Sequence, residues 1–356
     1  MVMSNKRLFL LLLLAVCSWM TCLDEIDIAN AERPEVGYVV QGKLLMGTAS
    51  SLFEATVEQM FVYTSNINQR IRDVQVTLVG DDGQQLVLTS APIDGVYRQN
   101  LAQSEFAVAV GKKYRLEVVL SSGEQLVSAW EEIMPLPEAG SLSWQFDELE
   151  VVGAGEVAML APALAYRIDA SVRASEGSKA QLRWEFIDAY KITDDLGAVC
   201  YVENPFQASE VILLDGAEVS GDTVADYPLF KSLINQKHIE GYYLTAYQQA
   251  LTPNSFAYWK EVAALLEREG TVFDNPAGLI STNMESPTNP EMLLFGQFSA
   301  YQQDTLRLYI SREDMGSPTF YCPRPPSNQP MPPITICDGC IDAIGAAYDK
   351  PFYWEE

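Results

Sequence analysis

Val74-Gln75-Val76-Thr77-Leu78-Val79 alternates between faces, runs into Gly80-Asp81-Asp82-Gly83, and resumes as Leu86-Val87-Leu88. Alternation on both sides of an Asp-Gly turn marks an antiparallel hairpin with one face buried. The same signal recurs outward in both directions. Upstream stand Gly37 to Leu45 and Met60 to Thr64; downstream come Gly95-Val96-Tyr97 and Tyr114 to Leu120. The last of these turns through Ser121-Ser122-Gly123-Glu124 into Gln125 to Trp130. Short strands with a turn about every 8–12 residues predict a small antiparallel β-sandwich over residues 37–134. Pro135 and Pro137 close it, because proline cannot donate to a central ladder.

Residues 138–356 read as a mixed α+β domain. Strand patterns occur at Arg167–Val172, Ala180–Phe186, Tyr242–Tyr247, Met292–Phe298 and Thr305–Ile310. One helix stands among them, with Thr252 as its cap, Pro253 at its first position and Gly270 as its stop. Phe256, Trp259, Ala263 and Leu266 share one of its faces, and such a stripe is expected to pack on a sheet. Residues 317–333 are proline-rich and should be irregular. The fold class is therefore mainly β, with an α+β second half.

The start of the chain carries an address. Lys6 and Arg7 precede the apolar run Leu8–Val16, and Cys22 stands just ahead of Leu23-Asp24-Glu25. The run is too short for a bilayer core, which needs about 20 apolar residues, so residues 1–21 read as a secretory signal. Cys22 is the expected site of acylation; Cys17 lies inside the apolar run and lacks following acids. Trp19-Met20-Thr21 departs from the small residue usual before such a cysteine, and the competing reading is plain secretory cleavage nearby. Cleavage before Cys22 leaves 335 of 356 residues, with 22–36 as an acidic tether. The formal charge of −25 becomes −27 once Lys6 and Arg7 are gone. A body this negative repels phosphate backbones and anionic head groups, which argues against nucleic acid as a partner. Attachment would rest on acyl chains, each contributing about 0.8 kcal/mol per buried methylene.

Cys200, Cys322, Cys337 and Cys340 remain as an even set, and in an exported chain such a set reads first as disulfides. Three pairings are open; at least one bridge should pin the C-terminal segment to the body. Cys337-Asp338-Gly339-Cys340 has the spacing of a zinc knuckle or redox dithiol, but no second such pair and no neighbouring histidine accompany it. His238 is the sole histidine, no nucleophile elbow exists to use it, and it is expected at the surface. Acid pairs such as Asp24/Glu25, Glu131/Glu132 and Asp194/Asp195 are expected by chance among 48 acids. Asp81-Asp82-Gly83 and Asp215-Gly216 read as turns rather than calcium ligands. No catalytic residue, metal site or cofactor is assigned.

The order of these segments resembles a known family. An acidic leader after Cys22 is followed by Val39-Val40-Gln41-Gly42, the Val74–Val79 hairpin, Gly95-Val96-Tyr97, Gly111 to Leu116 and Pro135-Leu136-Pro137. Cys200-Tyr201, Ser255 to Lys260, Phe273-Asp274-Asn275-Pro276 and Lys350-Pro351-Phe352-Tyr353-Trp354 come next. This resembles the Bacteroidota lipoprotein family catalogued as domain of unknown function forty-two forty-nine. The resemblance implies an immunoglobulin-like N-terminal sandwich, a place in the outer membrane facing outward, and companionship with a TonB-dependent transporter. It carries over no catalytic residues. A non-enzymatic accessory that captures a ligand is the expected function. A structural or envelope-assembly lipoprotein is the alternative, and an exported hydrolase comes behind both. Trp144, Trp184, Tyr242, Tyr243, Tyr301 and Trp354 are candidates for a sugar or peptide site, although most should be core.

Overall fold

A computed structural model describes residues 37–47, 50–60, 69–152, 158–174, 178–193, 197–205, 211–267, 280–316, 340, 343 and 345–354. In chain order the first strands are β1 (Tyr38–Met46), β2 (Ser51–Gln59), β3 (Gln69–Arg70), β4 (Gln75–Gly80) and β5 (Gln85–Leu88). They are followed by β6 (Tyr97–Leu101), β7 (Lys113–Val119), β8 (Gln125–Ser128), β9 (Glu131–Glu132) and β10 (Ser141–Val152). Next are β11 (Ala158–Ser171), β12 (Gln181–Thr193), β13 (Val199–Pro205), β14 (Ile212–Asp215) and β15 (Thr223–Leu233). The set closes with β16 (Tyr242–Leu251), β17 (Met284–Glu285), β18 (Leu294–Phe295), β19 (Phe298–Ile310) and β20 (Ala346–Ala347). A helix spans Pro253–Leu266, and a single turn spans Arg312–Met315. The chain is mostly β.

The hairpin that opens the sequence reading forms as β4–β5, paired from Val76↔Leu88 to Val79↔Gln85. Asp82 shapes its turn by accepting from the Gln84 backbone N–H at 3.1 Å and holding Lys112 at 2.5 Å. β4 and β5 belong to a six-stranded sheet with β7, β8, β9 and β17. That sheet faces β1 and β2 across a first core of Val40, Leu44, Phe53 and Val57 against Val76, Leu78, Leu116 and Val118. Gly42 sits where Leu116 of the facing sheet comes close to the β1 backbone. A Cβ there would meet Leu116 Cδ2 at 2.8 Å and Phe298 Cδ2 at 3.0 Å, so a side chain would push the sandwich apart.

The stretches 37–134 and 138–356, expected as separate domains, contribute strands to one shared sheet. An eleven-stranded sheet runs β20-β13-β12-β16-β19-β1-β2-β3, with β14 paired to β12, β18 to β1 and β6 to β2 off this path, and residues 37–356 form one compact unit. The weld is a parallel pairing of β1 with β18 and β19, from Tyr38↔Leu294 to Met46↔Gln302. Phe298 and Ala300 of β19 consequently sit inside the first core. Alternation announces a strand but not its partner, least of all one so distant in sequence. Pro135 and Pro137 do end a run of strands, but the sheet is completed elsewhere. β2 adds a strand beyond those expected from the sequence, with Phe53, Ala55 and Val57 alternating inward within it.

A second core lies under the C-terminal half of the large sheet. Leu182, Trp184, Phe186, Tyr242, Leu244 and Leu306 pack there against Leu164, Tyr166 and Ile168 of the sheet β10-β11-β15. His238 joins this interior with no exposure, correcting its expected surface position. It packs on Tyr242 with ring centroids 4.5 Å apart, and its Nδ1 accepts from the Asn235 backbone N–H at 3.3 Å. Burial, helped by the Lys237 charge, pulls its pKa down to about 3, so it stays neutral.

The opposite face of the large sheet carries Tyr243, Tyr309, Tyr353 and Trp354 in a cluster that docks the end of the chain. Cys200 on β13 is bonded to Cys340, with 5.8 Å between their Cα atoms. Cys340 is thus withdrawn from any dithiol or zinc site with Cys337. Cys22, Cys322, Cys337 and the proline-rich stretch lie outside the described residues. The bridge spans a sequence separation of 140, and closing a loop of this size restrains the unfolded chain strongly. Cys200→Ser should therefore cost about 2–5 kcal/mol in denaturant unfolding, with β13 and β20 losing hydrogen-exchange protection first.

Candidate functional site

The helix Pro253–Leu266 lies over the outer face of the large sheet, against β12, β14 and β16. Between sheet and helix lies a cavity of about 310 Å³. Strand alternation decides what it contains. Val40, Gly42 and Leu44 point into the sandwich, leaving Gln41 and Lys43 on the cavity side. Phe53, Ala55 and Val57 likewise leave Glu54 and Thr56, while Phe298 and Ala300 leave Ser299 and Tyr301. Arg183 and Glu185 come from β12, and Tyr258 and Trp259 from the helix.

Lys43, Glu54 and Arg98 stand directly opposite one another on three adjacent strands. Lys43 Nζ lies 2.7 Å from Glu54 Oε2, and Arg98 Nε bonds the other carboxylate oxygen. Burial works to raise the Glu54 carboxyl, but the hydrogen bonds and charges of Lys43 and Arg98 outweigh it and hold it below its ordinary range. On the opposite wall the Arg183 guanidinium lies 3.5 Å above the Trp259 ring centroid. It reaches Glu185 at 2.7 Å and donates to Gln249 Oε1 at 3.1 Å. Stacking and pairing together fix this guanidinium in place.

A buried polar network fastens the helix to the sheet beneath the cavity. Glu131, on β9, has no exposure; its Oε2 accepts from Thr252 Oγ1 at 2.5 Å and from Ser255 Oγ at 2.9 Å. Asn283 Nδ2 donates to its Oε1 at 3.3 Å. Thr252 caps the helix by accepting from the Ser255 backbone N–H at 3.2 Å, as the sequence predicts. Ser255 Oγ also lies 3.1 Å from Ser299 Oγ and accepts from Gln297 Nε2 at 3.1 Å, and both of those residues line the cavity. The roof is thereby tied to the floor through one carboxylate. Burial pushes the Glu131 carboxyl up, against the lowering by its three hydrogen-bond donors.

Of the six aromatic candidates, Tyr301 alone lines the cavity. Trp184, Tyr242, Tyr243 and Trp354 are buried in cores and Trp144 packs half-buried against one. Trp259 packs half-buried against the cluster of Leu251, Phe256 and Tyr301 and also forms part of the cavity wall, while Leu266 from the same stripe is exposed. Lys43, Glu54, Arg98 and Arg183 went unmarked in the sequence. Charges on the solvent side of a strand are ordinary, and only the strand order reveals that these converge. Glu132 points outward from Glu131, 3.7 Å from Lys113, while Asp24, Glu25, Asp194 and Asp195 lie outside the described residues. Among the described residues no group of three or more His, Cys, Asp or Glu is placed to hold a metal ion.

The family described as Domain of unknown function (DUF4249) matches residues 26–307. This chain belongs to that family. Every cavity residue falls within the matched span, whereas Cys340 and Trp354 fall beyond it. No curated protein and no solved structure matches the chain.

The raised Glu131 pKa has a signed consequence. Its folded form binds a proton more readily than the unfolded chain, so stability should decline as pH rises from about 4.5 through the raised value. Glu131→Gln should flatten that decline in pH-resolved urea melts. Glu131→Ala should cost about 1–3 kcal/mol by leaving the Thr252, Ser255 and Asn283 donors unmatched.

Proposed function

We propose that this protein is a lipid-anchored, outer-membrane ligand-capture protein that serves a TonB-dependent transporter without chemistry of its own. The anchor reading rests on Lys6-Arg7, the apolar run Leu8–Val16 and Cys22. The capture reading is carried by one observation: a cavity walled by Trp259, Tyr258 and the fixed Arg183 guanidinium. Aromatic walls with a few convergent polar groups are the usual make-up of small-molecule sites. No described helix is long and apolar enough to cross a membrane, so on this reading attachment comes from the acylated Cys22.

A thermal-shift screen of full-length protein against soluble metabolites tests the capture role. A ligand at about 100 times its Kd stabilises the native state by about 2.7 kcal/mol. The expected hit raises the Tm of the wild type and loses most of that shift in Trp259→Ala. Co-purification of a TonB-dependent receptor from solubilised outer membrane is expected alongside it. A blank screen with no receptor recovered contradicts the proposal and favours an envelope-assembly role.

A further inference from the structure

The small sheet β10-β11-β15 has two edges of very different make-up. On β15 the outer edge carries Pro228 and Lys231, and two register shifts break its ladder with β11. Proline, lysine and irregular pairing are the usual devices that keep an edge strand from joining another chain. β10 has none of them. Its 12 residues contain no proline and no cation, and they pair with β11 without a shift from Ser141↔Asp169 to Val152↔Ala158. Strands commonly run to about 5–6 residues, so this is a long, regular edge. Among the described residues, no backbone group on its outer side meets another strand.

The open groups can be named. Pro162, opposite Glu148, has no N–H, and its carbonyl accepts from the Ile234 N–H on the far side of β11. Glu148 therefore turns its backbone away from β11, as do the alternate residues Trp144, Phe146, Glu150 and Val152. With no strand to meet, the Glu148 N–H donates to Asp147 Oδ1 at 2.7 Å, and its carbonyl accepts from Lys231 Nζ at 3.4 Å. On the face of these residues Phe146, Val152 and Leu160, which sits opposite Glu150, are each more than half exposed. Asp147 is paired with Lys231 at 2.8 Å, whereas the Glu148 and Glu150 carboxylates have no cation partner among the described residues. β15 ends its pairing at Ala163↔Leu233, so from Pro162 outward β10 and β11 form a ribbon of two strands. Two strands alone are marginal in water, and a third over an apolar face stabilises them.

We infer that the open edge of β10 takes up an extended, basic segment of a partner protein as a fourth strand of this sheet. Main-chain bonds to the outward groups hold the segment, and side-chain pairing selects it. Its apolar side chains lie beside Phe146 and Val152, and its cations beside Glu148 and Glu150, where opposite charges across strands are stabilising. A second copy of this chain fits poorly, because β10 brings three acids and no cation to either side of such a pairing. The inference is independent of the capture reading, since no β10 residue lines the cavity.

Fluorescence anisotropy of the full-length protein with a short labelled peptide of alternating lysine and valine tests this. The controls are the same peptide methylated at every backbone nitrogen, and one with glutamate in place of lysine. The parent peptide should bind about tenfold more tightly than either. Glu148→Lys combined with Glu150→Lys, changes at exposed side chains, should shift the preference to the glutamate peptide and leave the unfolding midpoint near the wild-type value. A lysine-peptide affinity that ignores this reversal is general attraction to an anionic body and overturns the inference. A methylated peptide that binds as well as its parent overturns it as well. Absence of peptide binding also overturns it: a dimer in sedimentation runs would then give the edge to a second copy, and attachment to phosphatidylethanolamine vesicles, lost in Leu160→Asp, would give the ribbon to a membrane.

Discussion

Backbone hydrogen bonds between β1 and β19 hold the two ends of this molecule in one sheet. Without them β2 and β6, which follow β1, would part from β12 and β16, which pair in turn with β19. The pairing is parallel, and it is interrupted where the chain passes from β18 to β19. Gly296 makes that passage with a φ of 96°, and a Cβ there would meet Val40 O at 2.1 Å. Gly42 N–H then donates to Gln297 O at 2.9 Å, so the ladder continues through the break. Unpaired backbone groups at this depth would each carry a desolvation penalty of about 1–3 kcal/mol, which makes the junction strongly preferred.

The cavity follows from that junction. Lys43 and Glu54 come from the early strands, Arg183 from β12, Tyr301 from β19 and Trp259 from the helix. No part of the chain owns the site alone. Glu131 completes the arrangement by holding the helix start against the strand that carries Ser299. Burying a carboxylate among hydroxyl donors is costly. Here it fixes a roof at a defined height above a charged floor.

Local features were legible in the sequence because they depend on neighbouring residues. The β4–β5 hairpin follows from alternation and an Asp-Gly turn, and the helix start follows from Thr252 and Pro253. Two cores were also foreseeable, since apolar residues in both halves have to be buried. The junction was not legible, because β1 and β19 pair through backbone atoms that every residue carries. His238 shows a related limit: a lone polar residue between Lys237 and Glu240 looks solvated, yet the chain turns it inward beneath Tyr242. Trp259 shares a helical stripe with Phe256, and only the gap between helix and sheet separates a wall residue from a core residue.

Calorimetry of the full-length protein and its Leu78→Ala variant tests the shared sheet most directly. Leu78 is fully buried in the first core, and truncating such a leucine costs about 2–5 kcal/mol. One cooperative sheet predicts a single transition in both proteins, shifted as a whole in the variant, with calorimetric and van't Hoff enthalpies in agreement. Two transitions, with only the lower one moved by the substitution, would show two independent domains and contradict this account of the cavity.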